Sequence, residues 1–244
     1  MSRVYVDLHI HSALSPCADN EMTPHNIVNM ALLKGLHFIS ITDHNAIANV
    51  LPALKAASEK PLLVVPGVEI TSQEEVHLLA FFKTHEALSL FYQEIETALP
   101  PRENRPEIFG KQYLFDESDQ IIGEDHRLLM NAVQLSFDRL VQLIWQFGGA
   151  PVPAHVNRDS FSVYANLGFM PPNLPINVVE VTKPLNETTP LRIREELATY
   201  RQIISSDAHS LGNLLEQVFF IDLKERTMDA FFNWIRHSNR VVTL

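Results

Sequence analysis

Histidines and carboxylates recur along this chain at spacings that would let them share metal ions. The first group is the motif D-L-H-I-H-S at residues 7–12, in which His9 and His11 are two residues apart. Alternate residues of a strand point to the same side, about 7 Å apart, so two such imidazoles can converge on one cation. An isolated pair is more often two ordinary hydrogen-bonded histidines, so the interpretation depends on recurrence.

The same residue types do recur where other β-rich runs end. They occur in T-D-H at residues 42–44, G-V-E at 67–69, V-H at 76–77, P-A-H at 153–155 and S-D-A-H at 206–209. Structural histidines have no reason to follow strand ends, whereas the carboxyl ends of parallel strands lie on one rim, where barrel enzymes place their active sites. Nitrogen and oxygen donors without a thiolate suit zinc, manganese or iron better than calcium or magnesium.

The elements that would position these residues are short β-rich runs alternating with amphipathic stretches, which indicates βα units. The predicted strands are residues 3–9, 37–42, 62–70, 76–82, 150–155, 176–182, 202–206 and 217–223. The predicted helices are one that Thr23–Pro24 opens and Gly35 closes, and residues 46–58, 86–99, 136–147, 187–199 and 228–237. About seven such repeats favour a closed parallel barrel. An open doubly wound sheet is the alternative, but no glycine-rich phosphate loop follows the first strand.

Residues 100–134 break this alternation. The segment is rich in charge and contains Pro100, Pro101, Pro106 and two isolated glycines. We predict that it is an insertion within a single domain spanning residues 1–244. Long insertions in compact folds are often functional lids.

The composition limits the possible partners. The chain has 244 residues, 46% of them hydrophobic, and a formal net charge of −10 at pH 7. The negative charge argues against stable binding to duplex nucleic acid or to an anionic membrane. It does not exclude an anionic substrate, because two or three divalent ions would make one pocket locally positive.

The location expected from the sequence is cytoplasmic. The single cysteine, Cys17, cannot form an internal disulfide, which fits a reducing compartment. The first residues lack the charged start and apolar stretch of a signal peptide, and no run of about 18 apolar residues predicts a membrane span.

Taken together, the motifs resemble the PHP (polymerase and histidinol phosphatase) domain family. The elements D-L-H-I-H-S, T-D-H, G-V-E-I, a late histidine and S-D-A-H occur in the family order from Asp7 to His209. The resemblance implies a distorted (β/α)7 TIM-like barrel, here with an inserted segment. It also implies a metal cluster, commonly trinuclear, that hydrolyses phosphate esters.

The resemblance further implies a set of ligands. One ion would be held by His9, His11, Glu69 and Asp207, and Glu69 would bridge to a second ion bound by His77 and His155. A third ion would use His44, His209 and a residue of the loop at 15–24, where Asp19 falls on the ligand position and Glu21 is the alternative. The residues expected to carry catalysis are His9, His11, Glu69, Asp207 and His209.

Other residues near these motifs have supporting roles. Arg158 and Lys183 follow strands and are the candidate substrate-binding residues, since cationic side chains bind phosphate without competing for metal. A surface salt bridge is the alternative for Arg158. Asp43 is expected to orient an imidazole, and Cys17 to be a small packed side chain instead of a ligand or nucleophile.

The sequence therefore predicts a metal-dependent hydrolase acting on phosphoric ester bonds of a small metabolite, a nucleotide or a short oligonucleotide. A metal-bound hydroxide would attack phosphorus in line, and no G-x-S-x-G nucleophile motif is present. A histidinol-phosphatase-type enzyme is the nearest alternative. A noncatalytic metal-binding PHP module would be expected to have lost ligands, and an amidohydrolase of similar fold would usually need a bridging lysine.

Overall fold

The chain folds into a mixed α/β structure, represented by a computed structural model that describes residues 2–185 and 189–237. Its strands are β1 Ser2–Ile10, β2 Phe38–Ile41, β3 Leu63–Val64, β4 Gly67–Thr71, β5 His77–Phe81, β6 Tyr113–Phe115, β7 Ile121–Glu124, β8 Ala150–Pro153, β9 Val178–Glu180, β10 Arg201–Ile203 and β11 Phe220–Leu223. Its helices are α1 Pro24–Leu33, α2 Val50–Ala57, α3 His85–Ala98, α4 Pro106–Phe109, α5 Phe137–Gln146, α6 Val163–Asn166, α7 Leu191–Leu197 and α8 Met228–Arg236. The predicted helix start at residue 187 lies outside the described residues.

The main helices begin where the sequence provides capping side chains. Thr23, Thr84, Ser136 and Thr227 each accept a hydrogen bond from a backbone N–H in the first turn of the helix that follows. Such a cap satisfies one of the donors that a helix start leaves without a partner. Helix α2 begins at Val50, later than the predicted residue 46.

The strand directions differ from those of a uniformly parallel barrel. Parallel ladders join β1 to β2, β2 to β3, and β9 to β10. Antiparallel ladders join β1 to β11, β4 to β5, and β5 to β8. The expectation of parallel strands throughout was therefore wrong, because the short connection Ser72–Glu75 can only return the chain antiparallel to β4.

The predicted strand at residues 62–70 is two strands in different sheets. β3 pairs with β2, whereas β4 pairs with β5, so the chain leaves one sheet and enters the other around Pro66. Proline has no backbone N–H to donate to a ladder, which favours such a break.

Hydrogen bonds at the strand ends connect the sheets to one another. His44 forms a parallel bridge with Glu69, and Ile10 forms one with Ala208. The backbone N–H of Val156 donates to the carbonyl of Glu180 at 2.9 Å. These bonds hold the segments that follow β1, β2, β8, β9 and β10 against one another on one side of the molecule.

An irregularity in β1 changes which way its side chains point. Val4, Val6 and Leu8 pack into a core cluster with Phe81 and Phe231, whereas Ile10 packs into a different cluster under α1 and α2. The register with β2 shifts between Asp7 and Ile10. A bulge of this kind redirects side chains at a strand end, and here it affects the segment that carries His9 and His11.

The predicted insertion is ordered and attached to the same side of the molecule. It contains α4 and the antiparallel hairpin β6–β7. Tyr113 donates its backbone N–H to Ala13 at 2.8 Å, and the Asn45 side chain donates to the carbonyls of Leu129 and Asn131 at 2.7 and 2.8 Å. The insertion therefore contacts the segments that follow β1 and β2.

Across residues 2–185 and 189–237, no helix has the length and apolarity needed to cross a lipid bilayer.

Candidate metal centre

Eight of the predicted site residues meet in one cluster at the strand ends. They are His9, His11, His44, Glu69, His77, His155, Asp207 and His209, and neighbouring imidazole rings lie 4.4–5.9 Å apart between centroids. His77 is the first residue of β5 and reaches this side only because β5 runs antiparallel to β4. Nitrogen and oxygen donors from distant parts of the chain thus face one another.

The tightest part of the cluster lies between β1 and Asp207. His9 Nε2 and His11 Nε2 are 3.1 Å apart, and Asp207 Oδ1 lies 3.3 and 3.1 Å from them. The Glu69 carboxylate is 3.3 Å from His9 Nε2 and 3.4 Å from His11 Nε2. Four potential metal-ligand groups therefore point at a common position.

Hydrogen bonds to the Nδ1 atoms, on the side away from the cluster, orient the imidazoles of His9 and His11. His9 Nδ1 lies 3.0 Å from Glu180 Oε2, which as a carboxylate can only accept. His11 Nδ1 lies 2.9 Å from Ser15 Oγ, and that hydroxyl donates to Asp43 Oδ1 at 2.7 Å. Both Nδ1 atoms therefore carry a proton, and both Nε2 atoms face the cluster, which is the orientation of a metal-binding pair.

Glu69 lies at the centre of the cluster. Its Oε1 is 2.8 Å from His77 Nδ1 and 3.5 Å from His155 Nε2, and its Oε2 is 3.0 Å from His44 Nδ1. The residue is fully buried, yet neither carboxylate oxygen has a well-formed hydrogen bond among the described residues, and the same holds for His44 Nδ1. Buried polar atoms normally have partners, and a bound cation would supply them. The donor set therefore fits a metal cluster.

A third group of donors lies beside the loop that follows β1. Ligand atoms of His11, His44 and His209 all lie within 4.8 Å of one another. Asp19 and Glu21 are exposed, and the groups of candidate ligands among the described residues do not include them. Asp19 donates its backbone N–H to the carbonyl of His209 at 2.8 Å, so the loop that carries it lies against this group.

The electrostatics of the cluster reflect its buried charges. Burial and the nearby charge of His44 lower the pKa of His11 to about 3. Burial opposes protonation of His9, but the negative charges of Glu180, Glu69 and Asp207 raise the pKa of His9 well above its usual value. Burial would raise the pKa of the Cys17 thiol, but the influence of the His209 and His44 imidazoles lowers it to about 7.

Three buried carboxylates surround the cluster without belonging to it. Asp7 accepts the backbone N–H groups of Ser206 and Leu215, both at 2.9 Å, and so fastens the S-D-A-H segment to β1. Asp43 accepts hydrogen bonds from Ser12 and Ser15, and so holds the Ser15 hydroxyl that contacts His11 Nδ1.

The third of these carboxylates, Glu180, was missed by the sequence analysis. It contacts His9 Nδ1 and also accepts the backbone N–H of His155 at 2.9 Å. Its signal was its position in V-V-E-V, at the end of a strand like the other acidic residues.

The two candidate substrate-binding residues are in different positions. Arg158 Nη1 lies 2.6 Å from Asp207 Oδ2, with its side chain 42% exposed, so it borders the cluster and is open to solvent. Lys183 is exposed and forms no ion pair or hydrogen bond with the cluster in the described part of the chain. Phe161 also borders the cluster, its ring stacked on that of His77 with centroids 4.9 Å apart.

Several residues around the cluster have strained backbones. His155, Phe161 and Asp207 have φ angles of +30°, +52° and +51°. Residues other than glycine rarely adopt such angles, and when they do they often lie at functional sites. The strained residues therefore lie in the same segments that bring the candidate ligands together.

Comparisons with known proteins point to one family. The chain matches the family described as PHP domain over residues 7–165. Over 98 residues it is 34% identical to a 5'-3' exoribonuclease of Haemophilus influenzae, an alignment that covers 38% of this chain and 34% of that protein.

Solved structures of similar fold include two with wide coverage of this chain. The lesion-specific endonuclease PfuEndoQ from Pyrococcus furiosus has a TM-score of 0.70 at 17% identity, covering 96% of this chain and 56% of that chain. A proposed metal-dependent phosphoesterase from Bifidobacterium adolescentis has a TM-score of 0.58 at 21% identity, covering 86% and 92% of the two chains. At these identities the shared property is the fold. The chain spans about a third of the exoribonuclease and about half of the endonuclease.

Proposed function

The chain belongs to the PHP domain family, and on this premise we propose that it is a metal-dependent hydrolase of phosphoester bonds. Its substrate would be a small phosphorylated metabolite, a nucleotide or a short oligonucleotide. The observation that carries the proposal is the approach of His9 Nε2, His11 Nε2, Asp207 Oδ1 and a Glu69 oxygen to within 3.1–3.4 Å. These four groups lie close enough together to bind one cation.

We assign two or three divalent cations, of the zinc, manganese or iron type, to the cluster. The proposed ligands are His9, His11, Glu69 and Asp207 for one cation, Glu69, His77 and His155 for a second, and His44 and His209 for a third. Bound cations of this type lower the pKa of coordinated water and stabilise negative charge on phosphate oxygens. His9, His11, Glu69, Asp207 and His209 are the proposed catalytic residues.

Other residues near the cluster would bind the phosphate group or orient the imidazoles. Arg158 is open to solvent beside Asp207, and its guanidinium can donate two hydrogen bonds to a phosphate group. Without cations, the buried carboxylates of Glu69, Asp207 and Glu180 would repel that phosphate. Glu180 fixes His9, and Ser15 with Asp43 fixes His11, so both imidazoles present Nε2 before any ligand arrives.

We also propose that the strands form one distorted seven-stranded barrel within a single domain. Parallel bridges link His44 to Glu69 and Ile10 to Ala208, and the Val156–Glu180 bond links the segments after β8 and β9. These contacts follow the order expected around a ring, and the cluster lies at its mouth.

A nucleotide or short oligonucleotide is the favoured substrate class. The names of the Haemophilus exoribonuclease and the Pyrococcus endonuclease both describe action on nucleic acid. The net charge of −10 disfavours a broad contact with duplex phosphates. A short single strand or a nucleotide needs only the local charge of the cations and Arg158.

The test is a hydrolysis assay on protein of known metal content, in which both released phosphate and released nucleotides are measured. Nucleoside bisphosphates, short single-stranded oligonucleotides, the corresponding duplexes and histidinol phosphate would be compared, with metal measured by elemental analysis. We expect turnover of the first two classes and its loss after metal removal. Preferential turnover of histidinol phosphate would favour the phosphatase alternative.

Matched variants make this test specific. His11→Ala should lose bound metal and most of the activity, whereas His85→Ala, on α3 and bonded to Ser89, should retain both. Full activity of the stripped wild-type protein, or of His11→Ala, would refute the proposal.

A further inference from the structure

Phe161 is an exposed aromatic residue at the edge of the candidate metal centre. Its ring lies on the imidazole of His77, with centroids 4.9 Å apart and 26° between the ring planes. The residue is nevertheless 45% exposed. Single exposed apolar side chains are common, but this ring covers a candidate metal ligand and stays open to solvent where a substrate would arrive.

A short turn carries both Phe161 and Arg158 and is bonded to the cluster. Arg158 donates its backbone N–H to the carbonyl of His155 at 2.9 Å, and the Ser162 hydroxyl donates to the carbonyl of Arg158 at 2.7 Å. His77 donates its backbone N–H to the carbonyl of Phe161 at 3.0 Å. The ring is therefore held beside the cluster by its own turn.

The turn places a bulky side chain where the backbone disfavours one. The φ angle of Phe161 is +52°, in a region where bulky residues are rare and which glycine adopts freely. Glycine would satisfy this turn with less strain. The aromatic side chain is thus not required by the backbone conformation, and its contact with His77 directs attention to the site.

Arg158 and Phe161 offer two different contacts to one ligand. The Arg158 guanidinium, beside Asp207, can donate hydrogen bonds to a phosphate group. The Phe161 ring offers a flat apolar face. A nucleotide carries a phosphate and a flat base in one molecule, and bases of any type stack on aromatic side chains. Since the base is uncharged, the net charge of −10 does not oppose this contact.

We propose that Phe161 stacks on the nucleobase adjacent to the phosphoester that is hydrolysed. This contact makes the enzyme prefer nucleotides and short single strands over phosphorylated metabolites without a base. Bases inside a duplex are already stacked on both faces and cannot use it. The inference rests on the proposed function, because the phosphoester must be held at the cluster for its base to reach Phe161.

The test compares two substrates that differ only in the base, using the metal-loaded full-length protein. An adenosine bisphosphate is compared with the same bisphosphate carrying hydrogen in place of the base. Phe161→Ala should raise KM for the adenosine compound about 5–150-fold, which corresponds to the loss of one base–aromatic stack. The kcat for this compound and the KM for the abasic compound should be unchanged, because only binding of the base is lost.

Further variants separate stacking from a structural role. Phe161→Trp should keep the low KM, whereas Phe161→Leu, which is apolar but has no flat ring, should show the high KM. Phe169→Ala is the control, because Phe169 is 48% exposed but lies outside this turn. Metal content, measured by elemental analysis, should be equal in all variants, since Phe161 supplies no metal ligand.

A binding readout without turnover uses the indole of Phe161→Trp. Its fluorescence should be quenched by adenosine monophosphate and not by ribose phosphate, with the wild type and its two tryptophans as background. Equal changes in KM for the two bisphosphates, loss of metal in Phe161→Ala, or quenching that does not depend on the base overturns the role of Phe161 and leaves the proposed function intact. Failure of the metal-loaded wild type to hydrolyse any phosphate ester overturns both.

Discussion

At the scale of single residues, the candidate centre depends on side chains that are not themselves candidate metal ligands. Each imidazole of the β1 pair is oriented through its outer nitrogen, His9 by Glu180 and His11 by Ser15. These partners determine which nitrogen presents its lone pair. Their effect on metal binding should therefore be measurable separately from loss of a ligand.

Glu180→Gln is expected to weaken metal binding while leaving the proposed ligands in place. The amide can still reach His9 Nδ1 but lacks the charge that stabilises the imidazole bound to a cation. Loss of such outer partners typically reduces metal affinity about 10–100-fold. Competition with a chelator of known affinity measures the change, and Glu94→Gln on the exposed face of α3 is the control. Equal affinities in wild type and Glu180→Gln would contradict this role.

The buried His11 should make the metal-free protein sensitive to acid. Its pKa is lowered from 6.5 to about 3 by burial and the charge of His44. Between these values the unfolded chain binds a proton that the folded chain does not, so the free energy of unfolding falls as pH falls through this window. Urea titrations of chelator-treated protein from pH 7 to pH 4 would measure this fall in the free energy of unfolding. A slope for His11→Asn as steep as that of the wild type would show that His11 is not the source.

At the scale of elements, the loop after β1 and the insertion form a connected unit. Gly110 lies in the insertion with φ of +101°, and a Cβ at this position would lie 2.2 Å from the carbonyl oxygen of Pro16. The insertion thus packs backbone to backbone against the residue next to Cys17. The β6–β7 hairpin adds the Tyr113–Ala13 bond to the same loop.

Gly110→Ala is expected to destabilise this contact. The substitution combines an unfavourable φ with a backbone clash, and a strained residue of this kind costs about 1–3 kcal/mol. Gly168→Ala is a matched control, since Gly168 has φ of +81° but no atom within 4 Å of the added Cβ. Urea unfolding of both variants separates the cost of the positive φ from the cost of the clash. Equal losses of the free energy of unfolding would show that the contact with Pro16 contributes little.

At the scale of the whole molecule, the cluster joins segments that are distant in sequence. Its residues run from His9 to His209 in sequence, and they lie on or shortly after strands of three different sheets. Cations bound there would connect these segments only in the folded state. Metal binding should therefore contribute to global stability as well as to activity.

Metal removal is expected to lower the midpoint of thermal unfolding. A ligand that binds only the folded state at about 100 times its dissociation constant stabilises by about 2.7 kcal/mol. Scanning calorimetry with and without a chelator measures the difference, and restoring metal should reverse it. His11→Ala should respond much less, and an identical response would place the stabilising metal elsewhere.

Much of the local structure, and most of the side chains that meet in the cluster, could be predicted from the sequence. Helix starts at Thr23 and Ser136 depend on neighbouring residues, and the S-D-A-H and H-x-H motifs carry their donors at strand ends. These features are determined within a few positions of the chain, because capping bonds and strand alternation join residues close in sequence.

The features that only the tertiary structure decided depend on contacts between residues that are far apart in sequence. The shift in β1 that accompanies the convergence of His9 and His11, the reversal of β5 that brings His77 to the cluster, and the contact of Glu180 with His9 are of this kind. A sequence motif gives the order of candidate donors, but which side chain reaches a shared position depends on how loops pack across the whole fold.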